Sequence, residues 1–330
     1  MKRLLVYISL ILILTSCFEE DKRVAPHLPG DLTVGTVELT QNYKYQVFFN
    51  LLDNETVKNN LISEWDLGFE TSDSGWHVIL NTSKMMLAGN SVNTNFEEVK
   101  SSSGLLMTYD KSDGNLDSTA IGNWYNWSDE NPESKNYVYV IDRGTDESSN
   151  LTGKKKIVFG FDDENNYTLR FADLNGNNEQ AAVIVKDTTK NFVCFSFENG
   201  VVDIEPNKAN WDLLFTKYST LLYTNDGDPY PYLVTGVLLN PYRVEAVRDS
   251  VNAFDEISLE KAESLILSPQ MDIIGYEWKE YDFDNSMYTV LPEKIYVIKD
   301  TQGYYYKLRF IDYYNSTGEQ GYPMFEFLRL

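Results

Sequence analysis

Residues 65–69 read Trp-Asp-Leu-Gly-Phe, and residues 211–215 read Trp-Asp-Leu-Leu-Phe. A short apolar run with the composition of a strand precedes each of these blocks, at residues 45–49 and 192–197. Aromatic and β-branched residues of this kind favour sheets. The distance between the two blocks is far longer than a solenoid repeat of roughly 20–50 residues. The pattern therefore indicates a duplicated domain.

Further blocks recur in the same order and support the duplication. Residues 137–142 match 295–300, and Tyr-Thr-Leu-Arg-Phe at 167–171 matches Tyr-Lys-Leu-Arg-Phe at 306–310. Alternation of aromatic or apolar with polar residues is typical of half-buried strands. We therefore predict an all-β fold with a few short helices, in two related antiparallel-sheet domains. Their predicted bounds are residues 40–188 and 190–330.

Two segments interrupt the strand pattern. Residues 258–266 have helical periodicity, with Ser258 placed as the N-cap. Residues 92–99 are predicted to form a short helical counterpart in the first copy. Residues 18–39 contain Pro26, Pro29 and Gly30, and we interpret them as a linker.

The N-terminal residues have the features of an export signal. Lys2 and Arg3 precede an apolar run over 4–14, which is too short to span a bilayer. Residues 14–17, Leu-Thr-Ser-Cys, resemble a lipobox, so residues 1–17 are predicted to be a lipoprotein signal peptide with lipidation at Cys17. The acidic residues 18–21 resemble a surface-export tag. We expect an outer-membrane, cell-surface protein that contacts the membrane only through its lipid; an ordinary secretory signal and a periplasm-facing location are the alternatives.

Composition excludes several classes of function. The net charge of −22 argues against nucleic-acid binding, which needs a basic surface. The chain has two histidines and no Gly-x-Ser-x-Gly motif, so we predict no enzyme, no catalytic residue and no metal site. With Cys17 lipidated, Cys194 has no partner for an internal disulfide and is expected to be a buried strand residue.

Methionine and tyrosine are the remaining candidates for binding chemistry, because both can be axial ligands of haem iron. The candidates in the irregular middle parts of the two copies are Met85, Met86, Met271, Tyr230 and Tyr232. Methionine is also a common filler of core gaps, and that structural role is the alternative for these residues.

The order of these blocks resembles the HmuY-like haem-binding lipoproteins of Bacteroidetes. The second copy has the fuller pattern, at residues 211–215, 296–298, 305–310 and 321–327. The first copy looks like a divergent version. The resemblance implies haem held between loops at one end of a sheet, by two histidines in founding members and by methionines in some relatives. The second copy has no histidine, which departs from the founding pattern.

The predicted function follows from that resemblance. We expect a surface lipoprotein that binds haem or a related porphyrin and passes it to an outer-membrane uptake system, with a TonB-dependent receptor as a possible partner. The alternative is a surface interaction module that binds a protein or glycan and no haem.

Overall fold

The computed structural model describes residues 30–128, 131–224 and 226–330. Its strands pair in antiparallel fashion, and one short α-helix is present among these residues, which confirms the all-β prediction. The predicted signal segment 1–17, including Cys17, lies outside the described residues. Within the described ranges, no helix is both long and apolar enough to span a membrane.

The strands of the first part of the chain are β1 (Thr33–Thr36), β2 (Tyr45–Asn50), β3 (Glu55–Leu61), β4 (Leu67–Glu70), β5 (Val78–Leu80), β6 (Leu87–Asn90), β7 (Tyr125–Ser128), β8 (Asn131–Ser134), β9 (Tyr139–Asp142), β10 (Lys154–Phe161), β11 (Tyr167–Asp173) and β12 (Gln180–Ile184). Those of the second part are β13 (Phe192–Ser196), β14 (Gly200–Val202), β15 (Leu213–Tyr223), β16 (Pro229–Leu239), β17 (Glu245–Asp249), β18 (Lys279–Asp282), β19 (Met287–Val290), β20 (Ile295–Lys299), β21 (Tyr305–Tyr314) and β22 (Gln320–Arg329). The helix α1 spans Leu259–Ser264, and 3-10 turns span Thr82–Lys84, Leu116–Ser118 and Phe254–Glu256.

Four sheets carry the fold, and we number them by their place in the stack. Sheet I has the strand order β1-β22-β21-β20-β17, and sheet II has the order β16-β15-β2-β3. Sheet III has the order β14-β13-β4-β5, and sheet IV has the order β12-β11-β10-β9-β6. Two further ribbons pair β18 with β19 and β7 with β8.

Side-chain alternation along the strands places these sheets in layers. On β2, Val47 and Phe49 enter a core shared with sheet I, whereas Phe48 enters a cluster shared with sheet III. On β13, Val193 and Phe195 enter the core shared with sheet IV, whereas Cys194 faces the same cluster as Phe48. Because successive side chains point to opposite faces of a strand, the layer order is I, II, III, IV.

Strand pairing crosses the predicted boundary between residues 188 and 190 in both directions. β2 pairs with β15, with Phe49 opposite Leu213, and β13 pairs with β4, with Phe195 opposite Leu67. Each predicted copy therefore pairs its first strand, β2 or β13, with a strand of the other copy, and each inner sheet contains two strands from each copy. The bounds 40–188 and 190–330 do not separate two independent cores, because each inner sheet needs a strand from both.

The predicted linker 18–39 ends earlier than expected. β1 pairs with β22 at the edge of sheet I, from Thr33 opposite Phe327 to Thr36 opposite Met324. The next apolar residues, Val37 and Leu39, are buried in the core between sheets I and II. A strand that completes a sheet edge is part of the fold and not a tether.

Of the two predicted helices, only one forms. α1 begins after Ser258, whose hydroxyl accepts a hydrogen bond from the Lys261 N–H, as predicted. The helix predicted over 92–99 is wrong. There the side chains of Asn93 and Asn95 accept hydrogen bonds from backbone N–H groups two residues ahead. Such local bonds compete with helical hydrogen bonding.

Candidate functional site

Tyr230 and Tyr232 lie together on the exposed end of β16. Residues two apart on a strand share a face, and the two rings are 6.2 Å apart and nearly perpendicular. Tyr230 is 38% exposed and Tyr232 is 52% exposed. The same face of the β15–β16 hairpin continues inward to the buried side chains of Tyr218 and Val234. We call Tyr230 and Tyr232 the tyrosine pair.

Other tyrosines lie within electrostatic range of this pair. Burial raises the pKa of Tyr276, and Glu277 and Tyr230 raise it further. Burial also raises the pKa of Tyr288, with Tyr232 adding to the effect. Several aromatic side chains therefore gather at this end of sheet II.

The ribbon β18–β19 has a second group of aromatic side chains. Tyr281 packs against Tyr288 at 5.0 Å and against Phe283 at 5.1 Å. Phe283 is 85% exposed, although it is a large apolar side chain. Exposed apolar side chains that cluster in this way are typical of interaction sites.

A buried lysine lies at the base of the ribbon. The Nζ of Lys279 donates a hydrogen bond to the Thr235 carbonyl and lies 4.2 Å from the centre of the Trp278 ring. The rings of Tyr313 and Tyr288 are also within 6 Å, at 4.9 and 5.5 Å. Burial lowers the pKa of Lys279 to about 7. The lysine therefore contributes a charge that varies near neutral pH.

Met271 does not lie with the tyrosine pair. Its carbonyl accepts a hydrogen bond from the Leu239 N–H, at the opposite end of β16. Nine residues separate Leu239 from Tyr230, which is roughly 30 Å at the rise of a strand. The structure therefore does not bring Met271 and the tyrosines together as one pair of iron ligands.

The two adjacent methionines of the first half also occupy unrelated positions. Met86 is 1% exposed and lies in the core between sheets III and IV, where it fills space among aromatic residues. This burial argues against its candidacy as an iron ligand. Met85 is half-buried and has a left-handed backbone at the end of the 3-10 turn Thr82–Lys84. Because Met86 is buried, the two methionines do not form an accessible pair of ligands.

A second concave feature lies between sheets II and III. Its walls come from the facing sides of the inner strands, including Phe48 and Leu214 of sheet II and Cys194 of sheet III. Trp65 and Trp211, which precede the two repeated aspartates, also line it. This feature is open to solvent on one side, and its volume is about 170 Å³. We call this feature the intersheet cleft.

The deeper part of the intersheet cleft contains buried polar groups, whereas Lys111 and Asn115 line it at its exposed side. The Trp65 Nε1–H donates to the Gln46 side chain at 2.7 Å. The Glu205 carboxylate accepts hydrogen bonds from the backbone N–H groups of Asn191 and Phe192. Burial raises the pKa of Glu205 to about 7 despite these hydrogen bonds. The cleft thus combines apolar walls with a few fixed polar groups, which is typical of small-molecule sites.

A loop from the first half roofs one end of the cleft. Asp110 holds the start of this loop against β5 by accepting the Leu80 N–H at 2.6 Å, and burial raises its pKa to about 6. Ser112 donates to the Asp272 carboxylate at 2.6 Å, and the Met271 N–H donates to the Asp113 carbonyl. The loop is therefore tied to both halves of the chain.

The two repeated aspartates, Asp66 and Asp212, are buried and hold backbone groups in place. Asp66 is 0% exposed and accepts a hydrogen bond from the Phe197 N–H, just after β13. Asp212 is 1% exposed and accepts a hydrogen bond from the Leu51 N–H, just after β2. Cys194 is also buried, as predicted, and burial raises the pKa of its thiol.

His77 is paired with a carboxylate. Its Nδ1 lies 2.5 Å from Glu70, which raises the pKa of His77. The Ser72 hydroxyl bonds to Glu70 and not to His77. In a serine-hydrolase triad the serine hydroxyl contacts the histidine, so these three residues are not arranged as such a triad.

Several residues of these sites could not be identified from sequence patterns. Glu205 and Asp110 are single acids in polar loops, and nothing in their neighbours predicts that they line a cleft between sheets. Lys279 follows Trp278 in a run that resembles other exposed strands. The adjacent Trp278, which is fully buried, is the one clue that this position faces inward.

Comparison with known proteins identifies the second half of the chain. Residues 188–327 match the family model described as HmuY protein. This match confirms the predicted resemblance over the second copy. No curated protein matches the chain.

Solved structures give distant likenesses. Apo PinO from Porphyromonas gingivitis is 9% identical, with a TM-score of 0.30, over 91% of this chain and 98% of that one. The apo HmuY analog of Tannerella forsythia is 10% identical, with a TM-score of 0.27, over 92% and 97%. A Bacteroides vulgatus protein named as a candidate HmuY-like heme-binding protein is 17% identical, with a TM-score of 0.18, over 52% and 90%.

Proposed function

We propose, from the premise that residues 188–327 are of HmuY type, that this protein binds haem or a related porphyrin at the tyrosine pair. The observation that carries the proposal is the exposed, adjacent placement of Tyr230 and Tyr232 within the matched segment. Of the five candidate ligands, these two alone lie side by side on an accessible face of the described structure. A phenolate oxygen from either can bind haem iron.

The surroundings suit a flat apolar ligand. Tyr276 and Tyr288 lie near the pair, and the β18–β19 ribbon adds the exposed ring of Phe283. Aromatic rings favour offset or edge-to-face contact with other ring systems. A porphyrin on this surface would cover apolar area that otherwise meets water.

The rest of the proposal concerns location and partners. A lipid on Cys17 would anchor the protein in the outer membrane, with the sheets facing outward beyond the acidic residues 18–21. The protein would act as a binding protein and not as an enzyme, and would pass its ligand to an outer-membrane receptor of the TonB-dependent class. These statements rest on the N-terminal sequence and the family resemblance.

The test is a titration of the soluble chain, beginning after Asp21, with haemin while the Soret band is recorded. We expect a saturable shift with ferric haem that weakens after reduction with dithionite. The reason is that an oxygen ligand suits the harder ferric ion, whereas a thioether suits the softer ferrous ion.

Matched variants assign the ligand. The double variant Tyr230→Phe/Tyr232→Phe should lose the shifted band, because it keeps both rings and removes both oxygens. Tyr223→Phe is the control, since Tyr223 is 64% exposed on the same hairpin but on its opposite face. Met271→Leu and Met85→Leu should leave the spectrum unchanged.

Two outcomes would contradict the proposal at different levels. Tighter binding of ferrous haem that is lost in Met271→Leu or Met85→Leu would move the site away from the tyrosines but keep haem as the ligand. No saturable band in either oxidation state would remove haem binding and favour the alternative, a surface module for a protein or glycan.

A further inference from the structure

The strand β12 forms one edge of sheet IV and is unusually apolar for an edge strand. Residues 180–185 read Gln-Ala-Ala-Val-Ile-Val, with no charged residue, no proline and no glycine. Ile184 is buried in the core between sheets III and IV, whereas Val183 is 51% exposed and Val185 is 63% exposed. An open, apolar edge of this kind is a template for pairing with another strand.

The other edges of the four sheets are protected in ways that β12 is not. Proteins protect sheet edges with covering loops, charged residues, proline or very short strands. Loop residues bond to the edge strands β1, β5, β6, β16 and β17, through Asn54, Asp110, Thr108, Gly275 and Ser268. The edge strand β3 contains Glu55 and Lys58, and β14 has only three residues. β12 is therefore the exception among the described sheet edges.

The direction of the backbone groups of β12 follows from the turn before it. The Asp173 N–H donates to the Asn177 carbonyl, so the odd-numbered residues of β11 direct their N–H and C=O groups towards β12. Their partners are the even-numbered residues of β12. Ala181 and Val183 therefore direct their N–H and C=O groups away from the sheet, and Val185 is the next residue in this alternation. No described residue forms a hydrogen bond with these outward groups.

The outward groups of β12 are complementary to those of a second β12. In an antiparallel pair, two residues directly opposite each other can exchange both of their backbone hydrogen bonds. When two copies meet with Val183 opposite Val183, each Ala181 lies opposite the Val185 of the other copy. Every outward N–H and C=O of these three residues then has a partner. A register centred on Ala182 would instead place the charged Glu179 opposite Val185.

Charge also favours a second copy over a basic partner protein. The chain has a net charge of −22, so two copies repel each other except where their surfaces are uncharged. The apolar run of β12 is such a surface, and Lys186 comes opposite Gln180 in the register centred on Val183. Glu179 comes opposite Asp187 at each end, but Arg170 already pairs with Glu179 at 2.8 Å. A basic partner would be attracted to acidic surface and not to this run.

We infer that β12 is a homodimer interface, at which two copies pair their β12 strands antiparallel about a two-fold axis at Val183. Sheet IV then continues from one copy into the other. The pairing uses both free edges, so the assembly closes at two chains. One short edge is small beside the roughly 800 Å² per partner of a standard interface, so we expect a reversible dimer. The interface is independent of the proposed haem site, which lies on sheet II.

The first test is the mass of the soluble chain after Asp21, measured by sedimentation equilibrium at increasing concentration. The mass should rise from that of one chain to that of two and no further. Val183→Lys should weaken association at least about fivefold, because it places two like charges directly opposite each other. Lysine also lowers the net negative charge, so added overall repulsion does not explain such a loss.

Val34→Lys is the matched control and should dimerise like the parent chain. Val34 is 50% exposed on the edge strand β1, but its carbonyl already accepts a hydrogen bond from the Asn54 side chain. The control therefore makes the same substitution on an edge that is covered. Circular dichroism and urea unfolding show whether each variant is folded.

Cysteine cross-linking tests the register. Residues opposite each other in a hydrogen-bonded pair have Cα atoms about 5.5 Å apart, within the range of a disulfide. Val183→Cys should therefore form a disulfide between two chains under mild oxidation. Ala181→Cys alone should not, because its two copies would lie roughly 13 Å apart along the strands. A mixture of Ala181→Cys and Val185→Cys chains should cross-link, and the parent chain, with its buried Cys194, gives the background.

Several results would overturn the inference. These are a single-chain mass for the folded parent chain at every concentration, equal association of the parent chain and Val183→Lys, or equal cross-linking of Val183→Cys and Ala181→Cys. Growth beyond two chains would also overturn it, because a closed pair leaves no free β12 edge. None of these results bears on haemin binding, which is measured separately.

Discussion

Asp66 and Asp212 hold the same place in the repeated Trp-Asp-Leu pattern, yet the two halves of the molecule surround them differently. Both side chains are buried, and each accepts a backbone N–H from the other half, at Phe197 and Leu51. Asp66 also meets two cations, the Lys84 Nζ at 2.5 Å and the Arg143 guanidinium at 3.0 Å. Asp212 has no cation among its described partners.

The first half therefore buries an ion network. Arg143 continues from Asp66 to Glu198, whose oxygens accept its two Nη groups at 2.5 and 2.6 Å. Burial lowers the pKa of Arg143, but Glu198 and Asp66 outweigh this effect and raise it overall. Glu198 is the exposed end of the network, because 57% of its side chain faces solvent.

The second half instead buries an acid whose remaining partners are neutral. Thr301 donates to Asp212 through both its backbone N–H and its hydroxyl. Burial raises the pKa of Asp212 to about 6, and nearby Asp300 adds to this effect. In both halves the repeated aspartate accepts a hydrogen bond from the strand of the other half. The negative charge of Asp66 is paired with two cations, whereas Asp212 has only neutral hydrogen-bond donors.

The largest loss of stability is expected when the buried ion network around Asp66 is broken. Asp66→Asn should lower the free energy of unfolding by about 3–5 kcal/mol, because it leaves Lys84 and Arg143 buried without their shared anion. Asp212→Asn should lose about 1 kcal/mol at most, since its partners are neutral hydrogen-bond donors. Urea unfolding at pH 7.5 measures both. Equal losses in the two variants would contradict the comparison.

The second effect is a pH dependence specific to the second half. An unfolded aspartate ionises near its ordinary pKa of 3.8, whereas folded Asp212 ionises near 6. Folding therefore favours the protonated form, and its contribution to stability is lost as pH rises from about 4 to 6. The stability of Asp212→Asn relative to the parent chain should therefore rise by about 2 kcal/mol between pH 4 and pH 7.5. A constant difference between the two chains at both pH values would refute this prediction.

Replacing the two buried lysines, Lys84 and Lys279, should change the stability of the protein in opposite directions. Lys84→Met should destabilise the protein, because it removes a partner of Asp66. Lys279→Met should stabilise it by about 4 kcal/mol at pH 6, because folding shifts the Lys279 pKa from 10.5 to about 7 and disfavours its charge, and the lost hydrogen bond to the Thr235 carbonyl offsets only about 1 kcal/mol. The gain should disappear near pH 10.5, where the unfolded lysine is also losing its proton. Thermal unfolding at both pH values checks this, and destabilisation by both substitutions at pH 6 would count against it.

The smallest effect is expected at the exposed end of the network. Glu198→Gln should cost no more than about 1 kcal/mol, because ion pairs with a solvent-exposed partner contribute little. The same urea titration measures it beside Asp66→Asn. A loss as large as that of Asp66→Asn would mean that the network is not anchored at its buried aspartate.

The sequence predicted the strands well because their period is local. The turns at 162–166 and 300–303 join β10 to β11 and β20 to β21, as their polar composition indicates. The exchange of first strands could not be predicted in this way. Alternation identifies a strand and its buried face, but β2 and β13 are similarly apolar and either could complete either sheet. The choice of partner is a long-range property.

Lysine burial was also hidden from local patterns. The run 154–156 resembles a solvated strand edge, yet Lys156 is buried and donates to the Phe96 carbonyl at 2.7 Å. Lys307 makes the same contact with the Phe254 carbonyl in the second half. In each case a loop distant in sequence covers the lysine. Residue type and position in the chain were sufficient to select Tyr230 and Tyr232 as candidate ligands. They did not show that Met271 lies at the other end of β16.

The tyrosine pair itself depends on a difference between the halves. The Trp-Asp-Leu block opens a strand of four residues in the first half, β4, and one of eleven residues in the second, β15. Tyr230 and Tyr232 lie on the partner of that longer strand, beyond the region shared by both halves. The proposed haem site is therefore a feature of the second half.

The most direct measurement is a crystal structure of the soluble chain with haemin, with the iron located by its anomalous scattering. The proposal predicts iron bonded to the phenolate oxygen of Tyr230 or Tyr232, with the porphyrin against the β18–β19 ribbon. Iron bonded to a methionine sulfur, or haem seated elsewhere on the molecule, would contradict it.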